Sequence, residues 1–202
     1  MSFVNLLPYV HTIDGSVINT DAAASVVNGS CASLSSEQTK NITSIGSYTF
    51  GNCTSLVDIS NAFPNVTSIG DNAFAGCTSL TAVSFPKVTS IDDYAFDSCT
   101  SLVNISNAFP LVTTISTDAF YNCTALTTVS FPKVTTINNY AFSGCAALTS
   151  VSIGSSITSI DSAAFNGCTQ SGLTITINRS SNAITGSPWG ATHATIVWNG
   201  TT

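Results

Sequence analysis

The residue types that most often carry catalysis are few in this chain and lie far apart. Its two histidines, His11 and His193, lie near opposite ends of the 202 residues. A Ser-His-Asp arrangement within the central region therefore has no base. No GxSxG motif, glycine-rich phosphate loop or HExxH motif occurs either. The sequence predicts a protein that is not an enzyme and that uses no cofactor.

The seven cysteines are the next candidates for chemistry, as disulfides, zinc ligands or nucleophiles. Six of them occupy one position of a repeated pattern, and Cys31 extends that column 22 residues before Cys53. Side chains in one column of stacked repeats face the same way instead of facing each other, which disfavours disulfides. No CxxC pair or nearby histidine provides a zinc site. We expect buried free thiols that act as small apolar side chains.

Carboxylates are the remaining candidates. Asp71, Asp92, Asp93 and Asp161 fall where short helical turns are predicted to begin, so capping of backbone N–H groups explains them. Loose calcium ligation by Asp92, Asp93 and Asp97 is the alternative. Capping is the favoured interpretation, and we predict no metal site.

Most of these residues belong to copies of one unit, seen in residues 67–88 as TSIGDNAFAGCTSLTAVSFPKV. The copies begin at threonines that are 22 to 24 residues apart: Thr43, Thr67, Thr89, Thr113, Thr135 and Thr158. In every copy the third residue is isoleucine, the eighth is phenylalanine and the eleventh is cysteine. A fixed period of this length is typical of a solenoid, in which each coil packs mainly on its neighbours.

Each unit combines two local signals. Residues 80–85, LTAVSF, have the spacing LxxLxL, in which the last two apolar residues alternate inward along a short strand. Ala82 and Ser84 are then predicted to face outward. Position five is a good helix N-cap in every copy: Ser47, Asp71, Asp93, Thr117, Asn139 and Ser162. Position ten is occupied mostly by residues that tolerate the left-handed conformation closing a helix: Asn52, Gly76, Ser98, Asn122, Gly144 and Gly167. The predicted α/β fold is a solenoid of about six coils, with a parallel β-sheet on one face, short helical turns on the other and a cap at each end.

The pattern weakens at both ends, which predicts three parts. Residues 1–42 are expected to form an N-terminal cap, with a strand near Ser2–Val10, a helix near Asp21–Val27 and a degenerate coil from Cys31 that carries Glu37 at an inward position. Residues 43–168 form the repeats. Residues 169–202 supply a last ladder strand at Leu173–Ile177 and a C-terminal cap.

The C-terminal cap contains both tryptophans of the chain. Residues 188–190 and 194–198 are predicted to form an aromatic cover and a terminal strand over the last coil. A sugar-stacking platform made by Trp189 and Trp198 is the alternative, and packing within the cap is favoured.

Composition excludes several classes of partner. Four basic residues against ten acidic ones give a net charge of −6, and charged residues make up only 7% of the chain. No basic stripe exists to neutralise several phosphates, so we expect neither a nucleic-acid partner nor an anionic membrane partner. No apolar segment is long enough to span a membrane. The N-terminal MSFVNLLPYVHTIDG lacks the basic and apolar regions of a standard signal peptide.

The repeat columns, as in TSIGDNAFAGCTSLTAVSFP, resemble the leucine-rich repeat of the BspA-like (treponemal-type) family, over residues 43–168. The ending SPWGATHATIVW resembles tails that follow such repeats in proteins of gut bacteria and their phages. The resemblance implies a right-handed leucine-rich-repeat solenoid with a parallel sheet. It also implies a surface role such as adhesion, host-protein binding or cell–cell contact.

Two functions stay open. The first is a recognition or adhesion module at the cell surface or outside the cell, which binds a protein or glycan, such as one on a host surface. Its site would be the outward positions of the sheet: Asp58, Ser60, Ala82, Ser84, Asn104, Ser106, Thr128, Ser130, Ser150 and Ser152. The second is a structural or decorating subunit of a phage virion or extracellular assembly, which contacts neighbours or further copies of itself through its caps.

Overall fold

The structure, a computed structural model, describes residues 12–13, 39–180 and 184–200. The predicted strand near Ser2–Val10 and the predicted helix near Asp21–Val27 lie outside these residues. So do His11, Cys31 and Glu37.

The described residues form short parallel strands that follow one another in a solenoid. The strands are β1 (Thr12–Ile13), β2 (Ser44–Ile45), β3 (Asp58–Ile59), β4 (Ser68–Ile69), β5 (Ala82–Val83), β6 (Ser90–Ile91), β7 (Thr114–Ile115), β8 (Thr128–Phe131), β9 (Thr136–Ile137), β10 (Ser150–Ile153), β11 (Ser159–Ile160), β12 (Thr174–Ile177) and β13 (Thr195–Trp198). All pairings between them are parallel, as expected when consecutive coils stack in the same direction.

The strands build three sheets where one was predicted. Sheet A takes the Thr-Ser-Ile or Thr-Thr-Ile start of the units and has seven strands in the order β1-β2-β4-β6-β7-β9-β11. The LxxLxL half forms a two-stranded sheet, β3-β5, and a four-stranded sheet, β8-β10-β12-β13, which an Asn104–Thr128 bridge continues. We call these two sheets together sheet B. The seven strands of sheet A correspond to about seven turns, because β1 adds a coil before the six recognised repeats.

The repeat columns form the core, as predicted. The column isoleucines, phenylalanines, cysteines and leucines of the repeats are buried, and in the described residues they belong to one continuous cluster. The position-eight phenylalanines stack along the solenoid, with ring centroids of Phe96 and Phe120 5.3 Å apart and nearly parallel. A second stack, absent from the prediction, joins Phe63, Phe85, Phe109 and Phe131 at centroid separations of 5.8 to 6.5 Å. Each coil therefore buries its apolar side chains against the coils on either side.

The predicted helical turns do not form, since no residue between 43 and 168 is helical. The segment from position four to position ten of each unit, which we call the turn segment, bonds to the next coil instead. The Phe50 N–H donates to the Ala73 carbonyl at 2.7 Å, and the Asn52 N–H donates to the Ala75 carbonyl at 2.6 Å. A helix would need these N–H groups for carbonyls four residues earlier in the same segment. Inter-coil bonding therefore replaces the helical pattern.

Backbone dihedrals explain why the turn segment departs from a helix. Position ten is left-handed in all six copies, as predicted, with φ between 53° and 75°. Position six is also left-handed in five copies, and this was not foreseen: Tyr48, Asn72, Tyr94, Asp118 and Tyr140. A left-handed residue one step after the predicted cap interrupts right-handed helical dihedrals.

Two of the predicted capping aspartates accept hydrogen bonds from the neighbouring coil, and a third caps its own turn segment. The Asp71 carboxylate accepts a hydrogen bond from the Asp93 N–H at 3.2 Å, and that of Asp93 accepts one from the Thr117 N–H at 3.0 Å. Asp161 does cap locally, because it accepts from the Ala163 N–H at 3.0 Å. Backbone capping therefore accounts for these three carboxylates, although two of them cap the neighbouring coil.

At the C-terminal end, the predicted strands both form. Strand β12 continues the ladder, with Thr174 in register with Ser150, and β13 pairs with β12 in parallel. Ile196 and Trp198 of β13 are only partly buried but pack against the core.

Candidate binding surfaces

The ten predicted site residues lie on the strands or the bridge of sheet B, or just after them, on a surface that we call the strand face. Asp58, Asn104 and Ser150 are exposed and the other seven are half-buried. The residues between them, such as Val129 and Val151, are buried. Alternation along each strand thus separates a core side from a solvent side, as the sequence predicted.

Strand register joins the predicted residues of β8 and β10 into two rows. Ser150 is opposite Thr128, and Ser152 is opposite Ser130. The rows continue beyond the prediction, since Thr174 and Thr176 are opposite Ser150 and Ser152. On β13, Thr195 and Val197 extend them by one more coil. The sequence does not predict the rows beyond Ser152, because the spacing of the repeats changes after Cys168.

Two of the exposed side chains on the strand face are held by local hydrogen bonds. The Asp58 carboxylate accepts from the Ser60 N–H at 2.8 Å and from the Ser60 hydroxyl at 2.6 Å. These hydrogen bonds lower the pKa of Asp58 below its usual range, so the carboxylate stays ionised at neutral pH. The Asn104 side-chain oxygen accepts from the Ser106 N–H at 2.8 Å in the equivalent place two coils later. Both side chains are therefore fixed in position as acceptors.

Thr128 lies in the first of these rows and carries a buried hydroxyl oxygen without a hydrogen-bond partner in the structure. A buried hydroxyl of this kind costs free energy until it is satisfied. It lies beside Asn104 and Ser150 in the register of sheet B. The centre of the strand face therefore has an unused polar group.

The six cysteines that the structure describes have a structural role. The six in the described residues are free and buried. Each thiol after the first donates to the phenylalanine carbonyl of an earlier coil, as Cys123 does to Phe96 at 3.2 Å and Cys168 to Phe142 at 3.2 Å. Burial raises the pKa of Cys53 to about 11 and that of Cys168 to about 12. A thiol that stays protonated and inaccessible is a poor nucleophile and a poor metal ligand.

The structure describes the residues of the two alternative sites, the calcium site and the sugar-stacking platform. Among the described residues, no group of three His, Cys, Asp or Glu side chains could hold a metal ion, so Asp92, Asp93 and Asp97 form no such group. Trp189 is fully buried, and its indole N–H donates to the Thr185 carbonyl at 2.9 Å. It meets Trp198 edge to face at 6.3 Å. The tryptophans therefore pack within the cap, and the ring of Trp189 is not available for stacking on a sugar.

The turn segments form a cleft that was not predicted from the sequence. It has a volume of about 500 Å³ and spans four consecutive coils. Its lining side chains are Tyr94, Asp97, Asp118, Tyr121, Tyr140, Ser143 and Asn166, and we call it the tyrosine–aspartate cleft. The signal in the sequence was tyrosine at position six of every second unit, Tyr48, Tyr94 and Tyr140, which no core or capping role explains.

Within the cleft, one hydrogen bond links two coils. The Tyr94 hydroxyl donates to the Asp118 carboxylate, and this bond is the main cause that raises the pKa of Tyr94. Burial raises the pKa of Asp118, and the nearby carboxylates Asp97 and Asp93 add to that effect, while the Tyr94 bond opposes it. The cleft is therefore acidic, with one of its two carboxylates largely withdrawn from water.

In the part of the chain that the structure describes, no helix is long and apolar enough to cross a membrane.

Comparison with known proteins identifies the family. Six copies of the BspA-type leucine-rich repeat region match residues 28–111 and 89–189, which is well over half of the chain. The chain belongs to the BspA-type leucine-rich repeat family. This confirms the resemblance of the repeat columns.

Three solved structures are similar to this chain. A leucine-rich cell surface protein from Faecalibacterium prausnitzii A2-165 is 31% identical with a TM-score of 0.65, over 79% of this chain and 43% of that one. The chain thus spans less than half of that protein. The leucine-rich repeat protein of T. pallidum is 27% identical over 63% of this chain and 70% of its own, with a TM-score of 0.41. A leucine-rich repeat protein from Bacteroides ovatus ATCC 8483 is 20% identical over 79% of this chain and 59% of its own, with a TM-score of 0.43. No curated protein matches the chain significantly.

Proposed function

We propose that this BspA-type chain is a non-enzymatic recognition module, at the cell surface or outside the cell, that binds a protein ligand through the strand face. The observation that carries the proposal is the register of sheet B, which aligns small outward side chains into two rows. Small side chains leave the strands accessible, so a partner backbone or side chain can approach closely. The membership in a repeat family and the cell-surface description of the F. prausnitzii protein support a binding role at a surface.

The polar groups on the strand face suit a protein ligand. Asp58 and Asn104 are fixed acceptors. Backbone N–H groups of a partner can donate to both side chains. Specificity then arises from hydrogen bonds at the centre of the face.

The test is to block the strand face with long side chains and leave the rest intact. The double variant S130K/S152K places two lysines on adjacent strands β8 and β10 of sheet B. Its matched control S68K/S90K places the same two residues on adjacent strands β4 and β6 of sheet A. We expect wild type and S68K/S90K to bind components of a printed array of extracellular-matrix proteins. We expect S130K/S152K to lose that binding with an unchanged melting temperature.

Equal binding by both variants rejects the strand face as the site. Loss of binding by both variants indicates that the added positive charge prevents binding, and not the blocking of the strand face. The same array carrying mammalian glycans separates the two ligand classes, because signal only on glycan spots replaces the protein ligand with a sugar.

Assembly through the caps is the second candidate, and the position of β13 favours it. This strand is at the end of its sheet, with Thr195 exposed and Ile196 and Trp198 only partly buried. An end strand that has no further strand beside it among the described residues, and that carries partly exposed apolar side chains, can pair with another chain. Light scattering after size exclusion should then find an oligomer in wild type and a monomer in T195K. A monomeric wild type rejects self-assembly.

A further inference from the structure

A second binding site, separate from the strand face, is formed by the tyrosine–aspartate cleft. We propose that this cleft binds the side-chain cation of a lysine or arginine presented by a partner peptide. The proposal does not depend on the strand face, because the two surfaces lie on different segments of each coil.

The side chains that line the cleft are those that recognise organic cations. Tyr94 and Tyr140 are 41% and 38% exposed, so their ring faces are open to solvent. A cation over such a face is attracted by the ring quadrupole, and the effect is strongest where water is excluded. The carboxylates Asp97 and Asp118 line the same cleft and can accept the N–H groups of an ammonium or guanidinium. None of the lining residues carries a positive charge.

Asp118 gives the most direct indication of a missing cation. It is only 8% exposed, and its hydrogen-bond partner is the neutral Tyr94 hydroxyl. A carboxylate withdrawn from water is costly unless a positive charge compensates it. Burial accordingly raises the pKa of Asp118. A bound lysine or arginine would supply the charge that the coil itself lacks.

The wider charge distribution favours a cation over a neutral sugar. In the described residues, every carboxylate except Asp58 lies on a turn segment: Asp71, Asp92, Asp93, Asp97, Asp118 and Asp161. Several of these groups are close enough to raise one another's pKa, as Asp71 and Asp93 do for Asp92 in addition to burial. Their combined field attracts cations to the turn side and raises their local concentration. A neutral glycan gains nothing from this field.

The experiment measures binding of a fluorescein-labelled hexa-arginine peptide to the whole chain by fluorescence anisotropy at low salt. The matched probe is hexa-citrulline, which keeps the shape of arginine and removes its charge. We expect hexa-arginine to bind and hexa-citrulline not to bind. Added salt should weaken the hexa-arginine complex, because exposed charges are screened.

Matched variants localise that binding. D97N removes a carboxylate from the cleft, and D58N removes one from the strand face; both carboxylates accept a nearby serine hydroxyl, Ser98 and Ser60 respectively. Y140N removes a ring from the cleft, and Y48N removes one from the same repeat position outside the lining. Asparagine is native at that position and in the same backbone conformation at Asn72. D97N and Y140N should each weaken hexa-arginine binding about fivefold or more, and D58N and Y48N by less than about twofold.

Three outcomes overturn the proposal. The first is absence of hexa-arginine binding by wild type. The second is equal weakening by D97N and D58N, which indicates diffuse charge attraction without a site. The third is evidence that the cleft is a site for neutral ligands. Such evidence is binding of hexa-citrulline as strong as that of hexa-arginine. Glycan-array binding that Y140N abolishes, while hexa-arginine binding persists, is evidence of the same kind. Unchanged circular dichroism of each variant shows that it is folded, and S130K/S152K should bind hexa-arginine like wild type.

Discussion

The cysteines in the core have two roles, packing and hydrogen-bond donation. Cys168 fills apolar space and also donates its S–H to the Phe142 carbonyl of the preceding coil. Alanine would remove the thiol donor and leave the Phe142 carbonyl with the hydrogen bond from the Cys145 N–H alone. The repetition of cysteine in every coil follows from this geometry and requires no redox role.

The first prediction concerns the pH dependence of stability. Burial raises the pKa of Cys168 from 9.0 to about 12, so the folded state favours the protonated thiol. Its contribution is complete below pH 9 and is lost as the pH rises from about 9 to about 12, because the unfolded chain ionises first. In this range the wild-type free energy of unfolding should fall more steeply than that of C168A, by about 1.4 kcal/mol per pH unit. Urea denaturation at several pH values measures both slopes, and equal slopes would contradict a buried, protonated Cys168.

At the residue scale the sequence predicted the core almost completely. A column of identical apolar residues can be buried only in the same way in every coil, so Phe96 and Cys99 were identified without a structure. The second phenylalanine stack was missed, because Phe63 and Phe85 occupy different repeat positions and are brought into one stack by the coil path.

Elements were predicted less well than residues. The N-cap residue at position five and the left-handed residue at position ten are the local marks of a helical turn. In this fold the same residues flank a segment whose N–H groups bond to the next coil. That competition depends on the distance between coils, which local sequence does not encode. Sheet A was missed for a related reason, since a strand of two residues such as β6 has too few positions to show alternation.

The second prediction tests how closely neighbouring coils approach at an element boundary. Gly154 follows β10, and a Cβ added there would lie 1.8 Å from the Pro132 carbonyl oxygen. Because the obstacle is backbone, G154A must shift one coil against the next and should destabilise the protein by about 2 kcal/mol or more. G51A is the control, since its Cβ would meet nothing closer than 3.5 Å. Thermal denaturation compares the two, and similar melting temperatures would show that the coils are farther apart than this structure indicates.

The whole molecule is a stack in which each coil depends on its neighbours. Phe120 stacks between Phe96 at 5.3 Å and Phe142 at 5.4 Å. Phe50, in the first repeat, stacks on Phe74 at 5.1 Å. Central coils therefore have ring contacts on two sides.

The third prediction follows from that stacking. F120A should cost about 3–5 kcal/mol, the usual range for a large buried aromatic, and F50A should cost less. Chemical denaturation of the two variants gives both values. A cost for F50A that equals or exceeds that of F120A would contradict a stack stabilised mainly by its neighbours.

In the whole molecule, the strand face could be predicted from the sequence and the tyrosine–aspartate cleft could not. The strand face follows from alternation within one unit, as in Ala82 and Ser84, so the sequence specifies its residues. The tyrosine–aspartate cleft combines Tyr94, Asp118 and Tyr140 from three coils, and only the stacking brings their side chains together. Alternate tyrosines were visible in the sequence, but their closeness to the aspartates was not.

Recognition through the strand face can be tested by hydrogen exchange of the whole chain, with and without the array protein that it binds most strongly. We predict slower exchange in peptides that cover β8, β10 and β12, with little change in those that cover sheet A strands β4 and β6. Protection confined to the turn segments, or to sheet A, would contradict recognition through the strand face.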